Sequence, residues 1–296
     1  MTMKKILFSL LITCFTLSVI QAQDLTSKKG TPILPEAGEY GLSIDAVPFF
    51  EFAGNLFNGN SFNSAPSFDF PSFGHSYPSY TLSGKYFKSA TMAYRGKLRV
   101  GYYAQTMKNT LKDQTDSTNV DFRTVDDKWT NSAYNVSLGA GIEKRRGKGR
   151  VQGVYGAMAN LMVSAQANKV KYGNEISSTY KNPVSTSYPW TKTESGNYNT
   201  SPSSNRTIKD NDGMTFGIGV NAFVGVEYFF APKMSIGGEF SFAIMVAVTG
   251  KSKSEKEYWD SSSSSVKTIQ TKQGGSTTFG IDNTNTGGAI NLSFYF

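Results

Sequence analysis

Residues 215–228 read Thr215-Phe-Gly-Ile-Gly-Val-Asn-Ala-Phe-Val-Gly-Val-Glu-Tyr228. Phe216, Ile218, Val220, Ala222, Val224, Val226 and Tyr228 alternate with Thr215, Gly217, Gly219, Asn221, Gly225 and Glu227. A period of two puts the first set on one face of a strand and the second on the other. The Gly217-Ile-Gly219-Val-Asn-Ala222 portion matches a dinucleotide-binding pattern, but that pattern needs a helix to follow. Here the alternation runs on to Tyr228, so the stretch is a strand with an apolar and a polar face.

Seven further segments alternate in the same way. The first runs from Gly38 to Phe50, with Tyr40, Leu42, Ile44 and Ala46 on its apolar face. The others centre on Leu82–Tyr86, Tyr94–Tyr102, Tyr134–Glu143, Arg150–Ser164, Ser235–Val246 and Ile290–Phe296. The Arg150–Ser164 segment is the least regular, because Val154, Met158 and Met162 fall on its polar side. With Gly at 29 residues and aromatics at 14%, the composition also favours strands and turns.

The connections decide between architectures. Three are short: Lys88–Met92, Lys144–Gly149 and Phe230–Pro232. Four are long: 51–80, 104–131, 166–213 and 248–282. Short and long alternate throughout, and segment lengths suit tilted strands of about 9–11 residues. The expected fold is all-β: a closed antiparallel eight-stranded transmembrane β-barrel with short periplasmic turns and four long extracellular loops. A β-sandwich fits less well, because charges sit in mid-strand on the polar face and a sandwich core would not tolerate them. Tyr40, Tyr86, Tyr94, Tyr228, Phe294 and Phe296 would form the lower aromatic girdle, and Tyr102 and Tyr134 the upper one.

The N-terminus carries Lys4 and Lys5, an apolar stretch Ile6–Ile20, and Gln21-Ala22. This is the pattern of a secretory signal peptide over residues 1–22, with cleavage between Ala22 and Gln23. Residues 23–37, with Pro32 and Pro35, are expected as an extended periplasmic tail, and 38–296 as the barrel. The chain has 30 basic and 22 acidic residues, for a formal charge of +8. Losing Lys4 and Lys5 lowers that charge by two. One Cys (Cys14, inside the signal) and one His exclude an intrachain disulfide and weaken any His-based catalytic or metal site.

Inside a closed barrel, the polar faces meet. They bring Lys85, Arg95, Lys97, Arg99 and Arg150 toward Glu39, Asp45, Glu143, Glu227 and Glu239, mostly in the periplasmic half. Unpaired charges in a narrow interior are costly, so these should pair into a salt-bridged plug. Gly139, Gly141, Gly217, Gly219 and Gly237 are expected to leave room for the long basic side chains.

The last residues, Gly288-Ala-Ile290-Asn-Leu292-Ser-Phe294-Tyr-Phe296, resemble the C-terminal signal read by the outer-membrane barrel assembly machinery, carried by Ile290, Leu292, Phe294 and Phe296. The chain as a whole resembles small eight-stranded outer-membrane barrels of the OmpA-transmembrane-domain, OmpX and OmpW type. The segment Asp45–Gly59 resembles a first strand and loop of such barrels. The resemblance implies residence in the bacterial outer membrane, with lipid, lipopolysaccharide and the assembly machinery as partners. The chain departs from OmpA in having nothing after the last strand, and from OmpW in having a charged interior.

Other motifs are weak. His75 lies in the first loop near Asp69, Ser72 and Ser76, and Asp126-Asp127 could serve as an acidic pair. Nothing in the sequence brings these groups within reach of one another. Asp210-Asn-Asp212-Gly213 falls short of a calcium loop and reads as a turn. The loop lysines are interspersed with acids and form no nucleic-acid stripe. The first loop is unusually aromatic. It either caps the barrel mouth or offers a surface to an unidentified ligand. The expected function is therefore non-enzymatic, with no cofactor or metal: a barrel presenting surface loops for adhesion, envelope integrity or partner contact. The alternatives are a narrow solute channel, an outer-membrane enzyme acting on lipid, and a secreted β-sandwich.

Overall fold

A computed structural model describes residues 25–45, 82–117, 122–147, 149–282 and 289–296. The expected signal peptide with its cleavage site at Ala22 and Gln23, the first long loop with His75, and the side chain of Asp45 lie outside the described residues.

The described residues form 14 strands: β1 (Tyr40–Asp45), β2 (Leu82–Ser89), β3 (Met92–Lys112), β4 (Thr124–Arg146), β5 (Val151–Lys171), β6 (Val184–Thr186), β7 (Thr200–Pro202), β8 (Asn205–Asn211), β9 (Thr215–Ala231), β10 (Met234–Thr249), β11 (Lys253–Asp260), β12 (Ser265–Lys272), β13 (Ser276–Asp282) and β14 (Ala289–Tyr295). All pairings are antiparallel. Eight strands pair in a ring: β1 with β2, then β3, β4, β5, β9, β10, β14 and back to β1. These eight are the eight alternating segments of the sequence.

The ring is uneven. Its strands range from six residues in β1 to 23 in β4. The lower half of β10, Met234–Glu239, pairs with β14, whereas its upper half, Ala243–Thr249, pairs with β13. Likewise β5 pairs with β9 up to Ser164 and with β8 from Ala167 onward. The sheet therefore forks, and β8, β11 and β12 continue it away from the ring.

This corrects two expectations. Ring strands of 9–11 residues become strands of 21–23 residues in β3, β4 and β5. The second long connection is largely taken up by the extended ends of β3 and β4, and the third and fourth hold β6–β8 and β11–β13 rather than irregular loop alone. Most of the added strands are polar on both faces, so no apolar alternation marks them; β13 is the exception, with Phe279 and Ile281 beside Val246 and Ile244 of β10. β-branched Thr still fits the pleat.

The three short turns and both ends of the described chain gather at one end of the ring. Tyr40 and Phe296 exchange backbone hydrogen bonds there, at 2.8 and 2.9 Å. Residues 25–39 are not a free extended tail. Ile33 N–H donates to Leu25 O at 2.7 Å, and Lys233 N–H donates to Ile33 O at 3.1 Å. Ile33 is buried against Phe87, Ala93, Phe229 and Tyr295, with Leu34 beside it. The apolar side chain of Ile33 stays out of water only by docking here.

Candidate functional site: the interior charge cluster

Directly above that apolar floor lies a buried charge cluster. Alternation aims Lys85 of β2, Arg95 and Lys97 of β3, Glu143 and Arg145 of β4, Glu227 of β9 and Glu239 of β10 inward. The two-residue period also turns their apolar neighbours outward. Register places Lys85 opposite Arg95, a pair of like charges that would be unfavourable alone. Carboxylates on other strands resolve it. Lys85 Nζ lies 3.0 Å from Glu143 Oε2 and 3.7 Å from Glu227 Oε2. Arg95 Nη1 lies 2.8 Å from Glu239 Oε2 and 3.4 Å from Glu143 Oε2. Lys97 Nζ reaches Glu239 at 3.5 Å.

Arg145 ties the cluster to its floor. Its Nε donates to Glu143 at 2.8 Å, and its Nη2 donates to Glu227 and to Tyr295 Oη, the latter at 3.0 Å. The Ser235 and Tyr295 hydroxyls donate to the other Glu227 oxygen. The guanidinium carbon sits 4.7 Å from the Phe87 ring centre, with Phe229 and Tyr295 also close. Such a cation, dispersed over a planar group, is well suited to an aromatic bed. Above the cluster, Arg95 lies 4.2 Å from the Phe223 ring centre, and Asn160 donates to Asn221 at 2.7 Å.

Several expected members stand elsewhere. Glu39 pairs with Lys233 at 2.6 Å at the short-turn end. Arg150 donates to the carbonyls of Phe229 and Phe230 at the same end. Arg99 points inward higher up and makes no ion pair among the described residues. By sequence Arg145 falls in the short connection Lys144–Gly149, whereas β4 runs on through Arg146. The missed signal was parity: Arg145 is two residues past Glu143, as Tyr295 is two past Ser293.

Of the five expected glycines, Gly141 and Gly217 make room for methionines, Gly139 lies beside Asn160, Met158 and Lys97, and Gly219 and Gly237 approach the carbonyls of Ile244 and Val226. A Cβ on Gly141 would fall 2.4 Å from Met158 Cγ and 2.3 Å from the Ala157 carbonyl, and one on Gly217 would meet Met162. Val154, Met158 and Phe223 are buried in the interior. The interior therefore holds an apolar layer above its charges. That explains the irregular alternation of β5.

The cluster contains a cavity of about 20 Å³, lined by Ser43, Ser83, Lys85, Arg95 and Glu239 among others. This is room for about one water. A wider polar recess of about 470 Å³ opens at the fork of the sheet, beside Asn135, Ser164, Asp212, Thr215 and Thr249.

The remaining candidates do not assemble. Asp126 accepts from Thr110 Oγ1 at 2.9 Å, whereas its neighbour Asp127 is turned to the opposite face. There Asp127 is fully buried and accepts from Gly173 N–H, Thr186 N–H and Thr186 Oγ1 at 2.7–2.8 Å. Asp210 accepts from Tyr188 Oη at 3.1 Å. Residues 217–222 continue as strand β9. Phe294 of β14 and Phe296 just beyond it are exposed.

No protein-family model, no curated protein and no solved structure matches the chain.

Proposed function

We propose that the chain is a non-enzymatic integral barrel of the bacterial outer membrane. The ring would be its membrane wall, the charge cluster its plug, and the strands beyond the ring its surface-presented part. The observation that carries this reading is an inverted polarity. Val100, Val224 and Phe240 are 63%, 60% and 62% exposed, while Glu143 and Arg145 are 0% and 5% exposed. Water penalises the first arrangement and a water-filled pore would not need the second. A lipid environment rationalises both.

The tyrosines support the same reading. Tyr40, Tyr86 and Tyr94 stand side by side on the outer face, with ring centres 5.0 and 6.5 Å apart. Tyr102 and Tyr134 are paired eight residues up β3. Eight residues rise about 27 Å along a strand, or about 20 Å along the axis of a barrel with ordinary tilt. That separation suits two girdles bordering a hydrocarbon layer.

Folding the chain into detergent micelles tests the reading. A gel mobility that changes on boiling, together with a β-type circular dichroism spectrum, is expected. A chain that stays soluble without detergent and shows no shift would refute it and favour a secreted β protein. The paired charges and water-sized cavity also argue against a solute channel, so planar bilayers should show no steady openings.

A further inference from the structure

Beyond the ring, β3, β4, β5 and β8 form a sheet with two very different faces. One is covered by the chain itself. Trp129 packs on Tyr188 and Trp190, with ring centres 5.6 and 6.0 Å apart, and Asn109 Nδ2 donates to Thr186 Oγ1 at 3.0 Å. The opposite face continues the outer face of the ring, because it has the parity of Tyr102 and Tyr134. On it Lys108 lies opposite Lys128, and Lys128 opposite Lys171. One row nearer the ring, Lys169 lies opposite Lys209.

All five lysines are exposed. Like charges directly opposite one another weaken a sheet, so folding alone gives no reason for this arrangement. Nearby acids offset little of it. Lys209 reaches Glu255 only at 4.0 Å, and Asp126 is engaged by Thr110. Lys108, Lys128, Lys169 and Lys171 make no ion pair among the described residues.

Resting on the membrane reading above, we infer that this lysine band binds the phosphorylated sugar headgroup of an outer-leaflet glycolipid. Height selects the partner. Lys169 and Lys128 stand four and six residues beyond the Tyr134 level, roughly 10 and 15 Å along the axis. That is above the acyl boundary and within the sugar region, and lysine stems reach further down. Each ammonium is a compact donor suited to phosphate oxygens.

The test compares wild type with K108Q/K128Q/K171Q, and with K28Q/K29Q/K88Q at the short-turn end as a charge-matched control. Both variants and wild type should fold into phosphatidylcholine vesicles with the same heat-dependent gel shift. Failure of wild type to do so refutes the membrane reading and this inference together. The second measurement is calorimetric titration in detergent with phosphorylated rough lipopolysaccharide and with its dephosphorylated form. An attraction of about fivefold per lysine makes the band variant roughly 100-fold weaker for the phosphorylated form. The control variant keeps wild-type affinity. Equal affinity of wild type and band variant, equal affinity for the dephosphorylated form, or an equal response to inorganic phosphate overturns the inference.

Discussion

Glu143 receives Lys85, Arg95 and Arg145 while wholly shielded from solvent. Replacing a buried charge by a neutral isostere leaves its partners uncompensated, a loss of about 3–5 kcal/mol. Glu143→Gln should therefore lower the urea midpoint in detergent well below that of Glu39→Gln. The latter breaks only the partly exposed pair with Lys233, worth about 1 kcal/mol or less. Equal midpoints would show that the cluster is not what holds the base together. Tyr295→Phe deletes one hydroxyl from Glu227 and Arg145 and keeps the ring against Phe87 and Phe229. It should cost about 1–3 kcal/mol in the same assay, with the gel shift retained.

Among elements, the hairpin of β6 and β7 is held from below by Asp127. Asp127→Ala strands the Gly173 and Thr186 amides, and should open residues 173–203 to limited proteolysis while the ring stays resistant. The hairpin of β11 and β12 carries a pH signature instead. A hydrogen bond from Lys267, then those from Ser263 Oγ and Ser262 N–H, hold the Asp260 carboxyl down at about 2. The folded value lies below the ordinary one, so the stabilisation is full at neutral pH and fades as the pH falls through the ordinary carboxylate range toward 2. Amide exchange in β11 and β12 should accelerate there before that of β9 and β10 does. No difference between the hairpins would discount the Asp260 contacts.

The elements also differ in how far they could be read from sequence. The eight ring strands were legible because each must show one apolar face, and Phe216 to Tyr228 announces it in seven steps. β8, β11 and β12 were not, because polar residues such as Lys209, Glu255 and Gln270, which share one row of the sheet, stand among further polar residues, Arg206 and Glu257 included, and leave no period. Arg145 was hidden by its turn-like neighbours. The partners of each charge depended on register between strands far apart in sequence, such as Glu227 with Lys85, which alternation within one strand cannot supply.

For the whole molecule, the short turns and both ends of the described chain at one end and the extended sheet at the other predict sidedness. Cys14 is the only native cysteine and lies in the expected signal peptide, so engineered thiols report cleanly. Ser262→Cys, between β11 and β12, should react on intact cells with a membrane-impermeant maleimide. Ala90→Cys, between β2 and β3, should react only after the outer membrane is permeabilised. The reverse pattern would invert the proposed orientation.

Tyr295 is the next-to-last residue of the chain, yet it bonds Arg145 and Glu227 and packs on Phe87 and Phe229. A product cut short before Tyr295 would keep nearly every strand but lack this keystone. Its Arg145 and Glu227 would each lose a partner, and the apolar floor would lose an aromatic ring. The base is thus closed by the last strand of the ring: the charges of β4 and β9 find their full set of partners only when β14 docks between β1 and β10.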